Sequence, residues 1–429
     1  MAGKLFETTV GEVCQVFDGP HATPTRLDAG PVFLGITSLN KGRIDLSASD
    51  HVSEEDFAKW TRRVTPKPGD VVFSYETKLG EAAIIPEGLR CCLGRRMGLM
   101  RPNPAKLDSR FLLFYYLGPE FQEVIRERTI HGSTVERLAL IEFPQFPLRI
   151  PPLAEQKAIA AVLGALDDKI ELNRRMNATL EALARALFQS WFVDFDPVRA
   201  KLDGRPPAAL DPATAALFPD SFQDSSLGHI PMGWTAGKLG DIGTNSRRGI
   251  QPGDIAPNTP YIALEHMPRR CIALGDWDDS AVVASGKSAF KKGEILFGKL
   301  RPYFHKVGVA PFDGVCSTDI LVLAPKSPEW FGFLLGHASS DELIQFTDLA
   351  STGTKMPRTN WSDISSFKVA LPPKPIAAAF TRTIQPMLDR IHTNLYESRT
   401  LATLRDTLLP KLLSGELSVT KAVISSATE

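Results

Sequence analysis

The side chains best placed to do chemistry are cations in short, glycine-punctuated stretches. Arg95 and Arg96 follow Cys91 and Cys92, and Arg247 and Arg248 precede Gly249. Lys299, Arg301, Tyr303, His305 and Lys306 form a basic–aromatic loop. Ser133 and Thr134 follow Gly132; Thr354 and Lys355 follow Gly353, with Arg358 close behind. Such stretches suit phosphate: guanidinium and ammonium groups pair with it, and small hydroxyls with backbone N–H groups complete the cradle. Arg can also read guanine bidentately in a major groove. A solvated surface charge is the bland alternative for each one.

Catalytic constellations are missing. There is no N-P-P-[YF] stretch of an amino-methyltransferase, no G-x-x-x-x-G-K-[ST] phosphate loop and no G-x-S-x-G elbow. The eight histidines are scattered without H-E-x-x-H or H-x-H spacing, so no metal is expected. Five cysteines without a C-x-x-C pair read as buried thiols in a reducing compartment. Glu155 and Lys157 read as a solvated helix start. The opening MAGKLFETTVGEV lacks the apolar core of a secretory signal, and no apolar run approaches ~18 residues, so a cytoplasmic, membrane-free protein is expected. The 429 residues carry 49 basic and 49 acidic groups. Residues 1–150 hold 19 of each, and residues 228–372 hold 15 and 14. With no strongly basic domain, contact with nucleic acid must come through local patches and partner subunits.

The elements that would position these groups repeat. GSTVERLALIEFPQFPLRIPP from Gly132 and GTKMPRTNWSDISSFKVALPP from Gly353 stand 221 residues apart, and the offset continues through Asp168/Asp389, Asn173/Asn394 and Leu187/Leu408. Upstream, PGDVVF at 68–73 matches KGEILF at 292–297, and VGEV at 10–13 matches LGDI at 239–242. The chain is a tandem duplication of a globular unit followed by a helix.

Within each globular unit, VVFSY at 71–75, EILFG at 294–298 and DILVLA at 319–324 read as strands. One helix is expected over 109–128 and its counterpart near 329–347. After each Pro-Pro, apolar residues step by four and three for about four heptads, as in a coiled coil. Leu166, Ile170, Asn173, Leu180 and Leu187 form the first seam; Met387, Ile391, Asn394, Leu401 and Leu408 form the second. Asn173 and Asn394 would set register. Leu172, Met176, Phe188 and Phe192 fall beside the seam and are expected to face partner subunits. The expected fold is α+β: two similar globular domains separated by two long antiparallel coiled-coil helices, related as a pseudo-two-fold tandem repeat. The expected boundaries are domain 1 at 1–150, a central spacer helix at 151–193, and a partly ordered connector at 194–227. Domain 2 comes next at 228–372, then a second spacer helix at 373–415 and a flexible tail at 416–429.

The stretch PPLAEQKAIAAVLGALDDKIELNRRMNATLEALARALFQSWFVDFDPVRAK resembles the central helix of type I restriction–modification specificity subunits. GHIPMGWTAGKLGDI at 228–242 and LRDTLLPKLLSGEL near the C-terminus are also similar to that family. The resemblance covers essentially the whole chain. It departs at the second helix, where Ile376-Ala377 stands for Glu155-Gln156. It implies a non-catalytic subunit with two target recognition domains, each reading one half of a bipartite site in double-stranded DNA. It further implies that the helices dock two methyltransferase subunits, which bring S-adenosylmethionine. Separate motor-nuclease subunits would bring ATP and Mg²⁺ dependence, leaving this chain without a cofactor. The competing expectation is a protein-binding scaffold with duplicated domains on a coiled-coil spacer.

Overall fold

The computed structural model describes residues 5–20, 23–132, 135–280, 283–351, 356–417 and 419. Most of the expected tail at 416–429 lies outside them. The chain forms two compact units: residues 1–169 with 401–429, and residues 170–400. Each takes part of both long helices, which run Leu153–Phe192 and Lys374–Leu413, 40 residues each and therefore ~60 Å long. The duplicated α+β organisation expected from the sequence is present in both units.

In the first unit, strands β1 (Cys14–Asp18), β2 (Val71–Ser74), β3 (Ala82–Ile84) and β4 (Met97–Pro102) form an antiparallel sheet in the order β1-β4-β2-β3. In the second, β5 (Gly243–Asn245), β6 (Ile295–Gly298), β7 (Val307–Val309) and β8 (Ile320–Pro325) repeat it as β5-β8-β6-β7. An isolated antiparallel bridge recurs at equivalent places, Glu76 with Arg137 and Leu300 with Arg358. The units diverge in their second sheets, which have three and five strands.

The single helix expected over 109–128 is two, α1 (Ser109–Leu117) and α2 (Pro119–Glu127). Pro119 forces Gly118 into an extended conformation (φ −72°, ψ 155°), which ends α1, and Pro119 itself sits at the start of α2. The counterpart is likewise divided into α3 (Phe331–Ala338) and α4 (Asp341–Ala350), with Ser340 capping α4 by accepting from Leu343 N. The segment 194–227 carries two short helices, Asp196–Leu202 and Pro212–Ala216, and buries Val198 and Phe218 in the second unit.

Aromatic packing closes both cores. In the first, Phe73 stacks on Phe143 with centroids 4.5 Å apart, and Ile159, Leu163, Leu409 and Leu412 join from the long helices. In the second, Phe188, Trp191 and Phe192 meet Phe333 and Phe380. Gly336 permits this approach, because a Cβ there would stand 2.0 Å from the Phe188 ring. Of the seam residues, Asn173, Ile391 and Asn394 are buried, whereas Leu166, Ile170, Leu180, Leu187, Met387, Leu401 and Leu408 are half-buried. Within the second unit the helices run antiparallel: Asn173 Nδ2 donates to Ser398 Oγ at 3.3 Å and Asn394 Nδ2 to Asn177 Oδ1 at 2.8 Å.

Buried polar side chains on the helices hold each unit. Gln156 accepts from Asp108 N at 3.0 Å and donates to Lys106 O and Pro151 O. At the start of the second helix, Ile376 and Ala377 are core, and Thr381 bonds Gly332 N and Glu329 O instead. Glu181 accepts from Ile272 N at 3.0 Å and from Ala273 N and the Cys271 thiol at 3.2 Å. Burial pushes the Glu181 carboxyl above its usual range, while these donors pull it back. Glu181→Ala strands two buried N–H groups and should cost about 1–3 kcal/mol. Urea unfolding of the full chain measures it, and a loss below ~0.5 kcal/mol would show that carboxylate burial cancels the bonds.

Candidate nucleic-acid interface

The antiparallel order places the C-terminal ends of β5 and β6 and the N-terminal end of β8 at one edge of the second unit's sheet. Arg247 lies just past β5, Lys299 just past β6 and Thr318 just before β8. The segment 357–359 laces onto residues 299–301 just past β6: Arg301 N donates to Pro357 O at 2.7 Å and Thr359 N to Lys299 O at 3.0 Å. That brings Arg358 beside them, with its Nε 3.4 Å from Asp319 Oδ1. The result is a groove of about 600 Å³ lined by Arg247, Lys287, Lys299 and Arg358, with Asn245 and Thr318 between them. Asn360, at its rim, is engaged as a helix cap, accepting from Ser362 N and Asp363 N. Four cations against one paired carboxylate make the groove a site for an anionic backbone.

Not every residue singled out from the sequence reaches it. Arg248 turns inward to an ion pair with Glu294 and donates to Ala289 O. Tyr303 is 48% exposed and Arg301 lies over the Phe304 ring. His305 and Lys306 differ from expectation. Arg301 and His305 both adopt left-handed backbone (φ 51° and 50°) around the turn Pro302–Phe304, which reverses the chain and carries both residues inward. His305 is 6% exposed, with Nε2 3.0 Å from Ser339 O, and burial holds its pKa below the ordinary histidine value. Lys306 donates to Leu264 O, and burial lowers its pKa too. Both brace the loop from inside.

In the first unit, Arg95 is exposed beside Thr23, Arg26 and Thr37 in a concavity of about 170 Å³. Arg96 is left-handed (φ 74°) and pairs with Glu76 at 3.2 Å. Ser133, Thr134, Thr354 and Lys355 lie outside the described residues. Among the described residues, no group of His, Cys, Asp and Glu could hold a metal ion, and no helix is long and apolar enough to cross a membrane. Lys287, Asn245 and Thr318 carry no signal in the sequence, because each sits alone in the chain and only the sheet gathers them.

Two of the four residues expected to meet partners, Phe188 and Phe192, are corrected. Phe188 and Phe192 are each 4% exposed and belong to the second unit's own core. Leu172 is 53% exposed, and Met176 is half-buried with its sulfur 3.4 Å from Arg390 Nε. Substituting Asp at Phe188 should therefore cost ~3 kcal/mol or more and unfold the unit, whereas Leu172→Asp should leave the thermal midpoint within about 2 °C. Equal melting of the two variants would contradict this placement.

Residues 7–182 match the family model described as Type I restriction modification DNA specificity domain. The type I restriction enzyme MjaIX specificity subunit of Methanocaldococcus jannaschii is 25% identical over 385 residues, covering 86% of this chain and 82% of that protein. The HindI specificity subunit of Haemophilus influenzae is 25% identical over 369 residues, covering 74% and 80%. A crystal structure of the S subunit of a type I restriction–modification system from M. genitalium superposes with a TM-score of 0.52 at 15% identity, over 96% of each chain, and so shares the fold.

Proposed function

We propose that this chain, which belongs to the specificity subunits of type I restriction–modification systems, is the non-catalytic DNA reader of such a complex. Each unit reads one half of a bipartite site in double-stranded DNA, and the long helices dock two methyltransferase subunits. Those subunits supply S-adenosylmethionine; motor-nuclease subunits supply the ATP- and Mg²⁺-dependent steps. The complex works in the cytoplasm, beside the genome it marks. The observation that carries the reading is the repeated four-stranded sheet with its equivalent lacing bridge. Two copies of one frame, with different residues at the strand ends, suit two different half-sites. The cationic groove of the second unit is the interface by which that copy holds its half-site.

Exchanging residues 1–150 for those of a relative should change one half-site and leave the other intact. Genome-wide mapping of methylated adenine reads this directly, and simultaneous change of both half-sites would refute independent reading. The helices serve as the ruler. Half-sites about one helical turn apart, near 10.5 base pairs, leave a non-specific gap of roughly 5–8 base pairs. A four-residue stutter after Leu180 lengthens that helix by ~6 Å and rotates its end by about 40°. Matched by one after Arg390, which lies level with Leu180 on the antiparallel partner helix, it should widen the gap by one or two base pairs, whereas either insertion alone should mismatch the seam and abolish activity. An unchanged gap in the doubly lengthened protein would remove the ruler role.

A further inference from the structure

The repeat lets the two strand-end sites be compared position by position. β2 and β6 are equivalent, as are the bridges just beyond them, so Tyr75 stands where the second unit has Lys299. In the first unit Asp18 pairs with Gly98, opposite Phe73. In the second, Ser246 N bonds Val322 O, which carries the next residue, Arg247, to Leu321, opposite Phe297. Asp18 therefore stands where the second unit has Arg247. The second unit thus offers two cations, neither with an ion pair among the described residues. The first unit offers a tyrosine hydroxyl donating to a carboxylate, Tyr75 Oη to Asp18 Oδ1 at 2.9 Å. Tyr75 is buried and cannot reach a ligand itself; it orients the carboxylate. Arg63 lies 3.7 Å from Asp18 Oδ2, and Glu76 adds a second acid next in sequence, paired with Arg96.

A carboxylate repels phosphate and accepts from exocyclic amines at base edges. We propose that the equivalent strand ends do different jobs: Arg247 and Lys299 hold the DNA backbone at one half-site, whereas Asp18, positioned by Tyr75, reads an amine-bearing base, cytosine N4 or adenine N6, at the other. This rests on the DNA-reading assignment above. It makes Asp18 a specificity-determining residue of the first unit and places the salt-sensitive grip in the second.

The two roles separate by salt dependence. The slope of log affinity against log salt falls by about 0.9 for each phosphate that is no longer neutralised. The full complex with its methyltransferase subunits is titrated with a duplex carrying its methylation site, from about 50 to about 300 mM salt. Arg247→Gln and Lys299→Gln should each reduce the slope by about 0.9 and leave the methylated motif unchanged. Asp18→Asn should keep the slope but relax or change one position of the first half-site. The graft Asp18→Arg with Tyr75→Lys should raise the slope, and it supplies a gain of signal should a deletion variant melt early. Equal slope changes from both units, or a motif altered by Arg247→Gln and untouched by Asp18→Asn, would overturn the division of labour. Failure of the unsubstituted complex to retain the duplex at all would instead overturn the DNA-reading assignment.

Discussion

Phe188, Trp191 and Phe192 from the first long helix meet Phe380 from the second around Phe333, with Phe192 and Phe380 edge-to-face at 5.0 Å. At about 2–3 kcal/mol for each buried aromatic side chain, this packing dominates the second unit. It also imposes a topological constraint, because the helix segments involved are encoded at opposite ends of the globular sequence they complete. The first unit also draws on both helices, with Ile159 and Leu163 from one and Leu409, Leu412 and Leu413 from the other, although both segments follow its globular sequence in the chain. Neither core closes until both long helices are present. A helix segment that forms part of a core cannot pivot against it, so each unit grips its own stretch of both helices firmly.

Polar contacts then set register where hydrophobic contacts are permissive. Asn177, Asn394 and Asn173 lie buried between the helices of the second unit, with Asn173 also bonding Glu397 at 2.8 Å. A one-residue slip would strand these amides away from water, so the pairing has one low-energy alignment. In the first unit, Arg405 pairs with Asp167 at 2.6 Å. Gln156, Glu181 and Thr381 extend the principle from helix pairing to the packing of each unit, by taking loop and first-turn backbone N–H groups that no strand or helix satisfies.

Charge is distributed on a finer scale than any domain average. The chain is neutral and its domains nearly so, yet the second unit's strand ends concentrate Arg247, Lys287, Lys299 and Arg358 in one groove. Basic residues equally close in sequence, Arg248 and Lys306, are drawn inward by Glu294 and by the Leu264 carbonyl. The sign of a residue does not decide whether it serves a ligand or the fold. The backbone turn that carries it decides.

The order of the amino acids alone specifies the duplication, the two long helices and the lack of a catalytic motif, because these depend on periodicity and spacing, which are local or recur at a constant offset. Asn173 and Asn394 are legible as seam residues for the same reason. Dividing the helix over 109–128 requires weighing Pro119 against a continuous apolar run, and the run suggests continuity where the proline imposes a break. Periodicity cannot separate Phe188 and Phe192 from a partner-facing surface, because a helical stripe looks the same whether it meets another subunit or its own domain. Packing in three dimensions makes that choice, by setting Gly336 against Phe188. It also gathers Lys287, Asn245 and Thr318 beside Lys299, and sends His305 inside. Antiparallel strand ends bring together residues that the chain keeps dozens of positions apart, and a left-handed turn reverses the direction of a side chain within a few residues.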